Sequence, residues 1–137
     1  MIMVYVYCVA DIIHKGHIEY LKNAKALGDK LIVGVLTDEA AMEKKPKPTM
    51  SFDERFDLTR SLKWVDVVIA QNKYSPLDNV MMIRPDILIE TVDHEEKPAN
   101  KFMRSIGGRV VVFPYYPNHS STMVKNKIKE ETIEGIK

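Results

Sequence analysis

Two histidines, His14 and His17, stand three residues apart in the segment DIIHKGH, with Gly16 between them, in a chain that has only four histidines. The segment lies between the apolar run MVYVYC and a stretch with helical spacing, where a strand gives way to a helix. Residues three apart occupy one side of a helix, so both imidazoles can address a single object. A helix start adds unpaired amide donors and the positive end of the dipole, which together favour an anion. Gly16 has no side chain and lets a ligand approach the backbone. The chemistry indicated is the binding of an anion. A zinc pair fits less well, because helical zinc ligands more often stand four apart with a third ligand close by. No Cys or His cluster in the sequence supplies that third ligand.

These residues need elements to hold them, and the hydropathy pattern supplies them. Met1 to Cys8 reads as a buried strand, and Ile18, Leu21, Ala24 and Leu27 recur at helical spacing, with Gly28 placed to end that helix. KLIVGVL (30–36) is a second buried strand, followed by a short helix capped by Thr37 or Asp38. EKKPKPTM reads as a mobile basic loop, and Ser51 with Glu54 fits a capping box for a helix carrying Phe52, Phe56 and Leu62. Strands are then expected at VDVVIA (65–70), DILIE (86–90) and RVVVFPY from 109. Helices are expected at SPLDNVMMI, with Ser75 as cap and Pro76 in its first turn, at PANKFMRSI before Gly107 and Gly108, and from SST to the end. Strands apolar on both faces and each followed by a helix predict an α/β fold: a Rossmann-like, doubly wound, five-stranded parallel sheet with helices on both faces. Its ligand crevice lies beyond the carboxyl ends of the strands.

Composition narrows the function classes. The chain has 137 residues, one domain's worth over 1–137, with 45% hydrophobic and 28% charged residues. Twenty basic against nineteen acidic residues leave a formal charge of +1, so there is no global field for nucleic acid or an anionic membrane. The single Cys8 forms no internal disulfide, which suits a reducing cytoplasm. The apolar start lacks the basic flank of a signal peptide, and no run reaches the roughly eighteen residues of a membrane span. A soluble, cytoplasmic protein is expected. No G-x-G-x-x-G follows the first strand, which disfavours a dinucleotide-dependent dehydrogenase, and no Walker loop is present.

With these motifs in view, the chain resembles the nucleotidyltransferases of the cytidylyltransferase-like superfamily, which carry an H-x-G-H signature on a Rossmann-like sheet. The resemblance covers nearly the whole length. ADIIHKGHIEYLKNAKALGDKLIVGVLTDE is similar to the family's opening strand, helix and strand, and SFDERFDLTRSLKWVDVVI to its E-x-R helix and next strand. RPDILIETVDH stands where the family has its G-x-D type loop, and SST where it has S-T-T or S-S-T. The look-alikes are heptose-phosphate adenylyltransferase domains of lipopolysaccharide core biosynthesis, glycerol-3-phosphate cytidylyltransferases and phosphonate cytidylyltransferases.

The resemblance implies transfer of CMP or AMP from CTP or ATP to a phosphorylated or phosphonylated small molecule, such as a sugar phosphate or glycerol phosphate. A nucleotide-binding protein of the same fold without turnover is the alternative. The nucleophile is already an anion, so the protein's task is alignment and charge stabilisation. His14 and His17 are the expected catalytic donors to the α- and β-phosphates, with Lys44 and Lys47 matching phosphate-covering lysines. Cys8, Val9, Ala10, Asp11, Gly16, Thr91 and Asp93 match the nucleotide-binding loops. Ser120, Ser121 and Thr122 open the last helix and offer hydroxyls and amides to the β- and γ-phosphates. Arg55 matches the E-x-R arginine and is expected to meet substrate, or else to pair with Asp53 or Asp57 on the surface. Asp11 is expected to bind Mg²⁺ or to orient a histidine. A homodimer is implied by resemblance alone, with Trp64 either in the core or on the dimer surface. Three departures stand out: Cys8-Val9-Ala10-Asp11 in place of G-x-F-D, Thr91 and Val92 in place of glycines, and Tyr115 to Asn118 in place of R-T-x-G.

Overall fold

The computed structural model describes residues 1–91 and 97–114. Its elements run β1 (Met3–Cys8), α1 (Lys15–Lys25), β2 (Lys30–Leu36), α2 (Asp38–Met42), α3 (Phe52–Arg60), β3 (Val67–Gln71), α4 (Leu77–Ile83), β4 (Ile87–Thr91), α5 (Pro98–Ser105) and β5 (Arg109–Phe113). All strand pairs are parallel, in the order β3-β2-β1-β4-β5. The expected five-stranded doubly wound sheet is therefore present. The expected last helix falls outside the described residues.

The central strands bury alternate residues against different helices, which is why they read as unbroken apolar runs. Val4, Val6, Val33, Val35 and Ile89 form one core with Leu21 and Ala24 of α1 and with Phe52 and Phe56 of α3. Tyr5, Ile32 and Leu88 form the other with Val80 of α4 and with Ala99 and Met103 of α5. A smaller cluster joins Leu36 to Ala40 and Ala41 of α2, with Tyr7, Val9 and Tyr74 packed against it.

Three aspartates set the amino-terminal edge of the sheet. Asp29, Asp66 and Asp86 precede β2, β3 and β4, and each carboxylate accepts a backbone N–H from another strand's start: Ile2 at 2.7 Å, Leu31 at 2.8 Å and Met3 at 2.7 Å. Asp66 also pairs with Lys25 at 2.6 Å, and that bond, with the Leu31 amide, holds its carboxyl below the usual range. Because Asp66 is spent in this way, β3 starts at Val67, two residues later than its hydropathy suggests.

Gly28 also departs from expectation. The first helix ends at Ala26 in an ordinary right-handed cap. What Gly28 supplies is space, since a Cβ there would lie 2.8 Å from Ile2 O and 2.7 Å from Val4 Cγ2. Gly107, at φ 76°, is a true left-handed stop, and the Gly108 N–H closes α5 onto Met103 O at 2.8 Å.

Beneath the carboxyl end of β3 lies a buried polar network. Tyr5 Oη donates to Gln71 Oε1 at 2.6 Å, and Asn79 Nδ2 reaches Tyr5 Oη and Ala70 O at 3.0 Å each. Gly34 makes room for it, because a Cβ there would fall on the Tyr5 hydroxyl and within 2.9 Å of Gln71 Oε1. Gly34→Ala is expected to cost about 1–3 kcal/mol of stability through overpacking, measured as a lowered urea midpoint with an unchanged slope.

Candidate active site

The histidine segment folds as a reciprocal cap. His14 is the N-cap of α1, and its Nδ1 accepts the Gly16 N–H at 2.9 Å. Three residues on, His17 Nδ1 accepts the His14 backbone N–H at 3.3 Å. This is a capping box with imidazoles in both positions. Each ring thereby uses its Nδ1 lone pair on the backbone. A neutral imidazole bonded in this way carries its proton on Nε2, so each ring becomes a donor at its far nitrogen. The ring centroids lie 4.3 Å apart. Nε2 of His14 is shielded from solvent, where a hydrogen bond to an anion gains strength. Burial, helped by His14 and by Lys45 and opposed by Asp11, pushes the His17 pKa down to about 4. His17 is therefore neutral at pH 7, in the form that the capping bond requires.

The loop feeding this helix is strained. Ala10 and Ile12 are left-handed, at φ 61° and 48°, a conformation that costs a non-glycine residue about 1–2 kcal/mol. Asp11 between them is 3% exposed, and its two oxygens accept the Thr49 and Met50 N–H groups at 2.9 and 3.0 Å. Asp11 thus ties the β1–α1 loop to the entrance of α3. Both carboxylate oxygens are committed to amides, and the described residues include no group of three acidic, His or Cys side chains able to hold a metal. Each Asp11 oxygen keeps a lone pair that would suit a magnesium ion carried by phosphates, and no step is routed through one.

Arg55 corrects an expectation. It is fully buried and reaches neither substrate space nor the surface partners Asp53 and Asp57. Its Nε donates to Met50 O at 3.2 Å, and Nη1 to Val9 O at 2.6 Å and Leu36 O at 2.7 Å. Nη2 pairs with Asp38 Oδ1 at 2.6 Å. Arg55 gathers carbonyls at the ends of β1 and β2, and it is a positioning residue.

The remaining residues divide by place. Burial pushes the Cys8 thiol up to about 12, so it is no nucleophile. Val9 supplies its carbonyl to Arg55, and Ala10 and Gly16 are buried. Thr91 closes β4, paired in register with Phe113. Lys44 and Lys47 are exposed in the loop after α2, and Lys44 Nζ sits 5.0 Å above the Tyr74 ring. Their neighbour Lys45 is exposed too, and its positive charge is the smallest of the contributions acting on His17 and Cys8. Trp64 is half-buried under Lys63, whose Nζ lies 5.1 Å from its ring centre. Asp93, Ser120, Ser121 and Thr122 lie outside the described residues.

A parallel doubly wound sheet, with paired imidazole donors at the first helix start beside the end of the central strand, defines a nucleotide-handling α/β domain. The family model for cytidylyltransferase-like proteins matches residues 5–127. The chain belongs to the cytidylyltransferase-like family. It is 33% identical over 123 residues to the bifunctional protein HldE of Campylobacter fetus, covering 87% of this chain and 26% of that protein. It is 34% identical over 125 residues to HldE of Pseudomonas paraeruginosa, covering 88% and 26%. The chain thus spans about a quarter of the length of these curated relatives. Among solved structures, a lipopolysaccharide core biosynthesis protein from Thermoplasma volcanium superimposes with a TM-score of 0.71 at 32% identity, covering 84% of this chain and 96% of that one. Pantothenate synthetase from Thermus thermophilus, at 13% identity and a TM-score of 0.54, covering 83% of this chain and 56% of that one, shares the fold alone. Among the described residues no helix is long and apolar enough to cross a membrane.

Three outcomes follow from this geometry. The unfolded chain binds a proton at His17 near pH 6.5, whereas the folded one does so only near 4. Stability is therefore fullest above pH 6.5 and falls as pH drops toward 4, by at most about 1.4 kcal/mol per pH unit from this group. Urea unfolding at several pH values is expected to show this slope reduced in His17→Gln. Arg55→Lys is expected to lose about 3 kcal/mol, because one ammonium cannot reach four acceptors and Asp38 loses its partner. Asp53→Asn and Asp57→Asn, both exposed, should each change stability by less than about 0.5 kcal/mol.

Proposed function

We propose that this chain transfers CMP or AMP from CTP or ATP to a phosphorylated or phosphonylated small molecule and releases pyrophosphate. One observation carries the reading. The imidazoles of His14 and His17 are locked through Nδ1 to the start of α1, so both are donors at Nε2 above the end of β1.

In the reaction an acceptor phosphate oxygen forms a bond to the α-phosphorus. The bond from that phosphorus to the α,β-bridging oxygen breaks, and the electron pair leaves with pyrophosphate. The acceptor is already ionised, so no side chain has to remove a proton from it. Negative charge grows on the α-phosphoryl oxygens and on the leaving group, where neutral Nε2–H donors and the dipole of α1 stabilise it. Lys45 and Lys44 add positive charge from the loop after α2. Magnesium bound to the triphosphate would supply further charge neutralisation, and Asp11 is the residue that would hold it. The relatives named HldE and the lipopolysaccharide core biosynthesis protein favour a sugar phosphate as acceptor.

The capping box suggests the variants that test this. Asparagine is a good N-cap and glutamine a good third residue, so His14→Asn and His17→Gln keep the cap while removing the imidazole donors. Each is expected to fold, to keep the rise in melting temperature that CTP or ATP confers on the parent, and to lose about 10²- to 10³-fold in turnover measured as pyrophosphate release. Full turnover in both variants would remove the histidines from the mechanism. A parent protein that is stabilised by nucleotide yet releases no pyrophosphate with any acceptor would be a binding protein instead.

A further inference from the structure

The loop that leaves α2 is tied at both of its ends. Asp11, in the histidine loop, holds the far end through the Thr49 and Met50 amides. The near end is tied to Tyr74, in the loop between β3 and α4. Glu43, the C-cap of α2, accepts the Tyr74 N–H through Oε2 at 2.8 Å. Lys44, the next residue, lays its Nζ over the Tyr74 ring, 5.0 Å from its centre. Tyr74 packs against the cluster of Leu36, Ala40 and Ala41, as do Tyr7 and Val9. Lys44, Lys45 and Lys47 lie exposed between the two ties. They form a strap that runs from the β3 side of the sheet to the histidine loop after β1.

Tyr74 is a firm post for such a strap. Its carbonyl and that of Lys73 each accept Gln71 Nε2 at 3.1 Å. Gln71 is buried and its Oε1 takes the Tyr5 hydroxyl, so the post is braced from the central strand. The lysine backbone is equally defined, because the Lys44 and Lys45 N–H groups close onto Ala41 O at 3.3 and 2.9 Å. What the backbone leaves open is the direction of a long, rotamer-rich side chain. For Lys44 the ring settles it.

The kind of contact decides what Lys44 can do next. An aromatic face attracts an ammonium yet leaves its charge and its donors available to an anion. A carboxylate would neutralise it, and the neighbouring acid, Glu43, is engaged by the Tyr74 amide. Among the described residues Lys44 has no ion pair. A cation held in place and short of an anion is preorganised for a phosphate, since part of the ordering cost of gripping one is met beforehand. We propose that Tyr74 is a positioning residue for the triphosphate: its ring props the Lys44 ammonium and its amide restrains Glu43, so that the strap presents cations to the phosphates beside the histidines. This assignment rests on the nucleotidyl-transfer reading and adds to it a residue outside the histidine and lysine motifs.

Calorimetric titration with CTP, ATP and inorganic tripolyphosphate, each with magnesium, tests it in a double-mutant cycle. Tyr74→Leu keeps an apolar side chain in the cluster and removes the ring. It is expected to weaken binding of tripolyphosphate, and of the nucleotide the parent prefers, by about two- to fivefold. Tyr74→Phe keeps the ring and should restore the affinity. In a Lys44→Met background Tyr74→Leu should have no further effect, because the ammonium it props is gone. Where turnover is observed, Tyr74→Leu should raise the nucleotide KM with kcat little changed. A second readout needs no change at Tyr74: by proton NMR the Lys44 ε-methylene should resonate upfield of the other lysines, with and without nucleotide, and this decides alone if Tyr74→Leu does not fold. Equal affinity in Tyr74→Leu and the parent, an equal loss with and without Lys44, or an upfield shift that is missing or vanishes when nucleotide binds overturns the proposal. Absence of triphosphate binding by the parent overturns it together with the nucleotidyl-transfer reading. Triphosphate binding that depends on Tyr74 through Lys44, without pyrophosphate release from any acceptor, would instead sink that reading and leave the strap standing.

Discussion

The site depends on one buried guanidinium. Parallel strands end with carbonyls that have no further strand to bond, and in this sheet the ends of β1 and β2 converge beneath the histidine loop. Arg55 meets that need from α3, holding Val9 O, Leu36 O and Met50 O while Asp38 balances its charge. Asp11 completes the clamp from the other side by taking the Thr49 and Met50 amides. Strained backbone persists only where its surroundings over-determine it, and the left-handed Ala10 and Ile12 lie within this clamp. Without it the loop would relax, and His14 would leave the N-cap position that directs its ring.

The capping box turns that local order into chemistry. A helix start has orphan N–H groups that must be satisfied, and side-chain oxygens usually do this. Here ring nitrogens do it, and the same bonds set the tautomer of both imidazoles. One set of interactions thus starts α1 and leaves Nε2 as the donor nitrogen of both rings, while burial keeps His17 neutral. The structural and functional readings of these histidines are not rivals, since capping is what makes them donors.

The two ends of the sheet are built on different terms. At the amino end, Asp29, Asp66 and Asp86 pin neighbouring strands with short bonds to backbone amides, which suits an edge with only structural duty. At the carboxyl end, polar groups stand at the termini of β1, β3 and β4: Tyr7 and the histidine loop, Gln71, and Glu90. Their burial is costly, and the cost falls where a crevice is expected.

Much of this was legible in the chain. The apolar runs at 3–8, 30–36 and 109–113 mark strands because both faces of a parallel sheet are covered. Thr37 and Ser51 mark helix starts because their hydroxyls accept amides three residues on. The H-x-G-H spacing placed both imidazoles in the first turn of α1 because helical geometry is local. What the sequence by itself determined was therefore what depends on near neighbours: element order, sheet class, family and the place of the histidines. The tertiary structure alone decided the long-range partners. Arg55 read as a surface or substrate residue because its acceptors come from positions 9, 36, 38 and 50. Asp11 read as a magnesium ligand or an orienter of a histidine, and the amides of Thr49 and Met50 that it holds lie nearly forty residues away. Glu90 read as an ordinary strand residue until Tyr7 stood beside it. A charged side chain is defined by what folding brings against it, and spacing along the chain carries no record of that.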